Sequence, residues 1–110
     1  MVASLRLKDG SEYMVTQTCN WSVEPYTVSF YMRSKDGPWG WCYIDHQASR
    51  WRNVKMTYDG PTDTITISNG GTREATLDRE ASQFWLRRYG PGTARPAPQQ
   101  ASNPPYPFPE

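Results

Sequence analysis

Four glycine-containing turn signals divide the first part of the chain into short segments, and their spacing constrains the fold most strongly. The signals are Asp9-Gly10, Asp36-Gly37-Pro38, Asp59-Gly60-Pro61 and Asn69-Gly70-Gly71. Glycine accepts the positive φ of tight turns, and Asp and Asn side chains hydrogen-bond the backbone of the same turn. We therefore expect the chain to reverse direction at short intervals.

In the segments between the turns, mainly apolar residues alternate with mainly polar residues. In residues 26–33, one face of an extended chain takes Tyr26, Val28, Phe30 and Met32. Because side chains of a strand point alternately to opposite faces, this period of two predicts strands. The predicted strands lie near 2–8, 12–21, 26–34, 39–45, 51–58, 63–68 and 72–77.

This pattern predicts a mainly β fold, an antiparallel sandwich or small barrel of about seven strands. The length of 110 residues suits one domain. We expect a β-rich core domain at 1–89 and an extended, proline-rich C-terminal arm at 90–110. The hairpin at Asn69-Gly70-Gly71 is the clearest single turn.

One short helix is predicted at 78–88. Asp78 suits the N-cap, and Gly90-Pro91 supplies a stop after the helix. Leu77, Phe84 and Trp85 share one face at helical spacing, so we expect all three to be buried against the sheet.

Bulk composition limits the classes of function. The net charge is +1, whereas a dedicated nucleic-acid-binding domain is expected to be strongly basic. No run of 18 apolar residues predicts a membrane span, and the N-terminus has no apolar signal-peptide segment. We expect a cytoplasmic location or a place within a large assembly. Cys19 and Cys42 are expected to be reduced, mostly buried thiols, although a disulfide between them stays open.

No residue pattern predicts catalysis or a cofactor. His46 follows Asp45, but adjacent side chains of an extended chain point apart. No metal-ligand spacing accompanies this histidine. Asp59 and Asp63 flank a turn without the calcium-loop pattern. The sequence therefore predicts a protein that is not an enzyme and binds no metal or cofactor.

One group of residues stands out as a possible surface. Trp39, Trp41 and Tyr43 fall on one face of a predicted strand, and Arg50 and Arg52 share one face of the next. Three roles remain open for the rings: the core, a protein interface, or a platform that stacks a glycan or nucleotide.

The arm carries its own candidate contacts. Pro104, Pro105, Tyr106 and Phe108 lie in a segment where prolines and aromatic residues follow each other closely. Prolines favour an extended conformation, and twenty residues at about 3.1 Å each would reach roughly 60 Å. We expect Tyr106 and Phe108 to anchor the arm on a partner protein.

The function expected from these features is that of a non-enzymatic structural or assembly subunit. Such a subunit would dock on a larger complex, for example a virion or another multi-subunit assembly, through its β domain and its arm. A homo-oligomer is compatible with this layout. The alternative is a module that binds a glycan or nucleotide through the Trp, Tyr and Arg residues named above.

Overall fold

The computed structural model describes residues 2–19, 25–47, 50–87 and 94–96. Within these ranges the chain is mainly β, and no α-helix is found. The strands form two antiparallel sheets. The chain divides into two compact units, Met1–Arg50 and Trp51–Ala97. The prediction of a mainly antiparallel β protein is therefore confirmed.

The first unit contains a four-stranded sheet. Its strands are β1 (Ala3–Arg6), β2 (Glu12–Cys19), β3 (Tyr26–Arg33) and β4 (Gly40–Gln47). Consecutive strands are neighbours, and every pair is antiparallel. Tyr43 pairs with Ser29 and Asp45 with Val28, so Ile44 is an extra, bulged residue in β4. The sheet is regular from Gly40 to Tyr43.

Strand β3 is buried on both of its faces. On one face Val28 and Phe30 are fully buried, opposite Gln17 and Val15 of β2. On the other face Tyr31 is equally inaccessible. This second face carries the rings of the candidate surface described below.

The second unit contains a sheet with one apolar face. Its strands are β5 (Val54–Asp59), β6 (Thr64–Asn69), β7 (Thr72–Asp78), β8 (Gln83–Leu86) and β9 (Ala94–Pro96), in that order. The residues that fill the apolar face are each at most 2 % exposed: Ile65, Ile67, Ala75, Leu77, Phe84 and Leu86. Cross-strand pairing aligns them in two rows, which excludes water from one side of the sheet.

The hairpin between β6 and β7 forms where the sequence predicts it. Asn69 pairs with Thr72, and the two glycines between them have φ of 61° and 87°. A two-residue loop with positive φ at both positions matches the right-handed twist of the flanking strands. Residues with a Cβ rarely adopt this conformation, which explains the Gly-Gly pair.

The prediction of a helix at 78–88 is wrong for the described residues 78–87. Gln83–Leu86 is strand β8, paired with β7 so that Phe84 lies opposite Leu77. Asp78 does accept a hydrogen bond from the backbone N–H of Ala81 at 3.0 Å. This bond caps a turn, and Ser82 closes that turn with φ of 53°. The Asp78 side chain therefore caps a chain reversal here and not the start of a helix.

The prediction for β5 also needs correction. The strand begins at Val54, whereas residue 51 was expected, and Tyr58 near its end is 39 % exposed. β5 is the terminal strand of its sheet, and the Tyr58 hydroxyl donates a hydrogen bond to Asp63 at 2.7 Å. Because its hydroxyl already has a polar partner at the edge of the sheet, the Tyr58 ring gains less free energy from burial than a ring in the core would.

Part of the predicted arm belongs to the second sheet. Ala94–Pro96 forms the terminal strand β9 and pairs with β8. Proline is tolerated in such a strand because one side of a terminal strand needs no hydrogen bond. Residues 97–110 lie outside the described residues, and the division into a core at 1–89 and an arm at 90–110 stays a prediction.

Candidate binding surface

The aromatic residues of β4 lie on the second face of the first sheet. Trp41 pairs with Tyr31 and Tyr43 with Ser29, so both rings project to one side. The ring centres of Trp41 and Tyr43 are 5.2 Å apart, with an interplanar angle of 78°. This edge-to-face contact orders the two rings as one patch.

Trp39 precedes β4 and packs into the same group. It is only 8 % exposed and forms a buried cluster with Met14 and Tyr31, against which Trp41 packs. The rings of Tyr31 and Trp39 pack edge to face, and their centres are 6.3 Å apart. We call Met14, Tyr31, Trp39, Trp41 and Tyr43 the aromatic cluster.

Arg33 covers one side of the aromatic cluster. Its guanidinium carbon lies 4.5 Å from the centre of the Trp39 ring, which is a cation–π contact. The same guanidinium donates to Oε1 of Glu12 through Nη2 at 2.7 Å and through Nε at 3.2 Å. Glu12 thereby fixes the plane in which Arg33 stacks on the ring.

Glu12 bridges two arginines. Nη2 of Arg6 lies 3.2 Å from the carboxylate oxygen that also accepts from Arg33. The hydrogen bond from Arg33 is the largest cause that holds the pKa of Glu12 below its usual 4.5, with Arg6 adding to it against some desolvation. Two cations therefore share the one carboxylate of Glu12 on this face of the sheet.

The outer part of the aromatic cluster is accessible. Tyr43 is 43 % exposed and Trp41 is half-buried. The indole Nε1 of Trp41 is buried and has no hydrogen-bond partner among the described residues. A buried donor without an acceptor costs about 1–3 kcal/mol.

The phenol of Tyr31 lies within the aromatic cluster. Burial is the main cause that raises the pKa of Tyr31, so its phenol stays neutral and unsuited to act as a base. Among the described residues, no three His, Cys, Asp or Glu side chains gather as metal ligands. The described ranges also hold no helix long and apolar enough to cross a bilayer.

The two cysteines are not joined to each other. Cys19 lies at the exposed end of β2, whereas Cys42 is half-buried in β4. The expectation that both thiols are mostly buried is therefore wrong for Cys19. The backbone of His46 lies in β4 opposite Thr27, and its expected lack of a catalytic role stays a prediction.

The structure places Arg50 and Arg52 differently from the prediction. Both are exposed and lie in the connection before β5, so they do not share a face of a strand. The buried residue of this connection is Trp51, at 4 % exposure. Pro104, Pro105, Tyr106 and Phe108 lie outside the described residues.

A second arginine–tryptophan contact lies in the second sheet. The guanidinium carbon of Arg73 is 4.0 Å from the centre of the Trp85 ring. Trp85 is half-buried, and its neighbours Phe84 and Leu86 are buried on the opposite face. The expectation that Trp85 fills the core is corrected by this alternation along β8.

The contact between Arg33 and the Trp39 ring has a signal in the sequence. Tyr31 and Arg33 alternate onto one face of the predicted strand 26–34, and the turn at Asp36-Gly37-Pro38 brings Trp39 and Trp41 back beside them. Pairing the two strands across that turn would have placed the arginine on the ring. Glu12, from a more distant strand, had no comparable local signal.

Comparisons with known proteins identify no relative. No protein family, no curated protein sequence and no solved structure matches this chain significantly.

Proposed function

We propose that this protein is a non-enzymatic structural or assembly subunit. It binds a partner protein of a larger assembly through Trp41 and Tyr43 and through its C-terminal arm. The accessible Tyr43 ring beside Trp41 carries this proposal, because aromatic residues and arginines are enriched in protein interfaces.

The surroundings of the two rings support a protein partner. Arg33 and Arg6 place two guanidinium groups around the one carboxylate of Glu12, so this face has an excess of donors. Backbone carbonyls and carboxylates of a protein are the matching acceptors. Rigid rings lose little conformational entropy when they are covered, so they suit the centre of an interface.

A glycan or nucleotide site is less well supported. A sugar or base stacks on an exposed ring face, and extended stacking needs several rings side by side. Here Trp39 is buried beneath Arg33, and Trp41 meets Tyr43 at a steep angle. Within the aromatic cluster, only the Tyr43 ring is exposed.

The experiment compares the size of the protein in its native setting with that of the isolated chain. Tagged full-length protein is recovered gently from the source cells and sized, alongside Tyr43→Lys and a chain ending at Pro96. We expect the wild type to migrate in a large assembly and both variants to leave it. Tyr58→Lys, which changes a similarly exposed ring in β5, is the control and should remain in the assembly.

Two results would contradict the proposal. One is a wild-type protein that migrates only as the free chain. The other is saturable quenching of tryptophan fluorescence by a glycan or nucleotide that Tyr43→Lys abolishes, since this would support the alternative.

A further inference from the structure

Among the described strands, the four that end the two sheets differ in how well they are protected against pairing with another strand. β1 has four residues, and β9 has three and ends in a proline. β5 carries the exposed Lys55. Short length, proline and lysine all discourage the addition of a further strand.

β4 has a stretch without proline or charge. The strand has eight residues, as many as the inner strands β2 and β3, and its first four, Gly40–Tyr43, contain no Pro and no charged residue. Asp45 and the bulge at Ile44, which also discourage pairing, lie beyond this stretch. Every second residue of a terminal strand points its N–H and C=O away from the sheet. The bulge at Ile44 interrupts the strand but leaves Gly40–Tyr43 regular. Trp41 and Tyr43 lie on this regular stretch.

The C-terminal arm has a sequence suited to adding at such an edge. Pro105, Pro107 and Pro109 alternate with Tyr106, Phe108 and Glu110. Each residue of a strand points its N–H and C=O to the same side, and this side alternates along the chain. One side of the arm therefore keeps all its donors, while prolines block the other side.

Two further properties make the arm fit a single added strand. Tyr106 and Phe108 each precede a proline, which disfavours helix and favours extended backbone. Their side chains would also project to one face, since they are two residues apart. The blocked side would prevent further strands from joining, so addition would stop after one.

We propose that the arm of one copy of this protein adds as an antiparallel strand to the β4 edge of a second copy. This orientation puts Phe108 next to Trp41 and Tyr106 next to Tyr43, as aromatic cross-strand neighbours. Glu110 then lies at the end of β4 where Arg33 stacks on Trp39. The inference rests on the proposed function and identifies the surface that receives the arm.

Length and charge both agree with this pairing. Residues 97–110 follow β9 and reach roughly 40 Å when extended at about 3.1 Å each, enough to span a small domain. Glu110 is the one charged residue in 97–110, and the aromatic face it would meet has two arginines for one glutamate. Because arm and edge are different surfaces, the contact is head-to-tail and generates rings or filaments.

The test measures self-association of the full chain by analytical ultracentrifugation over a range of concentrations. We expect wild-type protein to form oligomers and Tyr43→Lys to stay monomeric. Tyr106→Ala with Phe108→Ala should weaken association about thirtyfold or more, as for two hot-spot rings. Tyr58→Lys should associate like the wild type, and circular dichroism should show each variant folded.

Mixing the two defective variants identifies the contact. Tyr43→Lys retains an intact arm, and the arm variant retains an intact edge, so their equimolar mixture should form dimers and nothing larger. A monomeric wild type, an unaffected Tyr43→Lys, or a mixture without dimers would overturn the inference. If wild type is monomeric alone but loses its native assembly on truncation after Pro96, the arm binds another protein, and the proposed function survives without this inference.

Discussion

At the scale of single residues, the arrangement of Glu12 between Arg6 and Arg33 is the best-defined electrostatic feature. Both guanidinium groups contact the same carboxylate oxygen. Arg33 connects this network to the aromatic cluster through its stack on Trp39. The charge state of Glu12 therefore influences how firmly Arg33 is held over the ring.

We predict that Glu12 contributes to acid sensitivity. Its folded-state pKa is lowered, chiefly by the hydrogen bond from Arg33. The carboxylate thus stabilises the fold above its usual pKa of 4.5, and this contribution is lost as pH falls through the lowered folded pKa. Glu12→Gln should melt below the wild type at neutral pH, and the difference should shrink in acid.

The measurement is the melting temperature of both proteins from about pH 7 to about pH 3. Glu80→Gln changes an exposed glutamate in a turn and serves as the control. A constant difference between wild type and Glu12→Gln across this range would show that the carboxylate charge is not the cause.

At the scale of the elements, alternation along β8 is the correction with the clearest consequence. Phe84 is 2 % exposed, whereas Trp85 points to the other face and is half-buried. Phe84→Ala should cost about 3–5 kcal/mol of unfolding free energy, as for a packed core ring. Trp85→Ala should cost less, and denaturant unfolding of the two variants measures both. A loss for Trp85→Ala that equals or exceeds the loss for Phe84→Ala would favour the helical arrangement.

The β6–β7 hairpin depends on backbone conformation. Gly71 has a φ of 87° and open space where a Cβ would be added. Gly71→Ala should therefore cost about 1–2 kcal/mol through the left-handed backbone alone. Gly60→Ala is the matched control, because an added Cβ there meets only a Tyr58 ring atom at 3.9 Å. Equal effects on the free energy of unfolding would contradict this explanation.

Sequence reasoning succeeded where the signal was local and failed where pairing decided the outcome. The alternation of Val28 with Phe30 and the glycines of the β6–β7 turn gave strands and a hairpin directly. Phe84 and Trp85 suit a helix or a strand equally well, and only pairing of Phe84 with Leu77 selects the strand. The stack of Arg33 on Trp39 requires knowledge of the turn between them.

At the scale of the whole molecule, the described strands end before the segment that carries the predicted anchors. β9 closes at Pro96, so a chain ending there keeps every described strand. Its melting temperature should stay within about 2–4 °C of the wild type, which corresponds to about 0.5 kcal/mol. A chain ending at Tyr89 loses β9 and should melt lower. Unfolding of the chain that ends at Pro96 would mean that residues 97–110 belong to the folded core.

The central claim is that the Trp41–Tyr43 stretch of β4 is a binding surface. Amide hydrogen exchange measures it directly, by comparing the isolated, dilute chain with the native assembly. We predict that the backbone amides within Gly40–Tyr43 that point away from the sheet become protected in the assembly, while the amides of β5 exchange at the same rate in both. Protection confined to other strands, with unchanged exchange at Gly40–Tyr43, would contradict the claim.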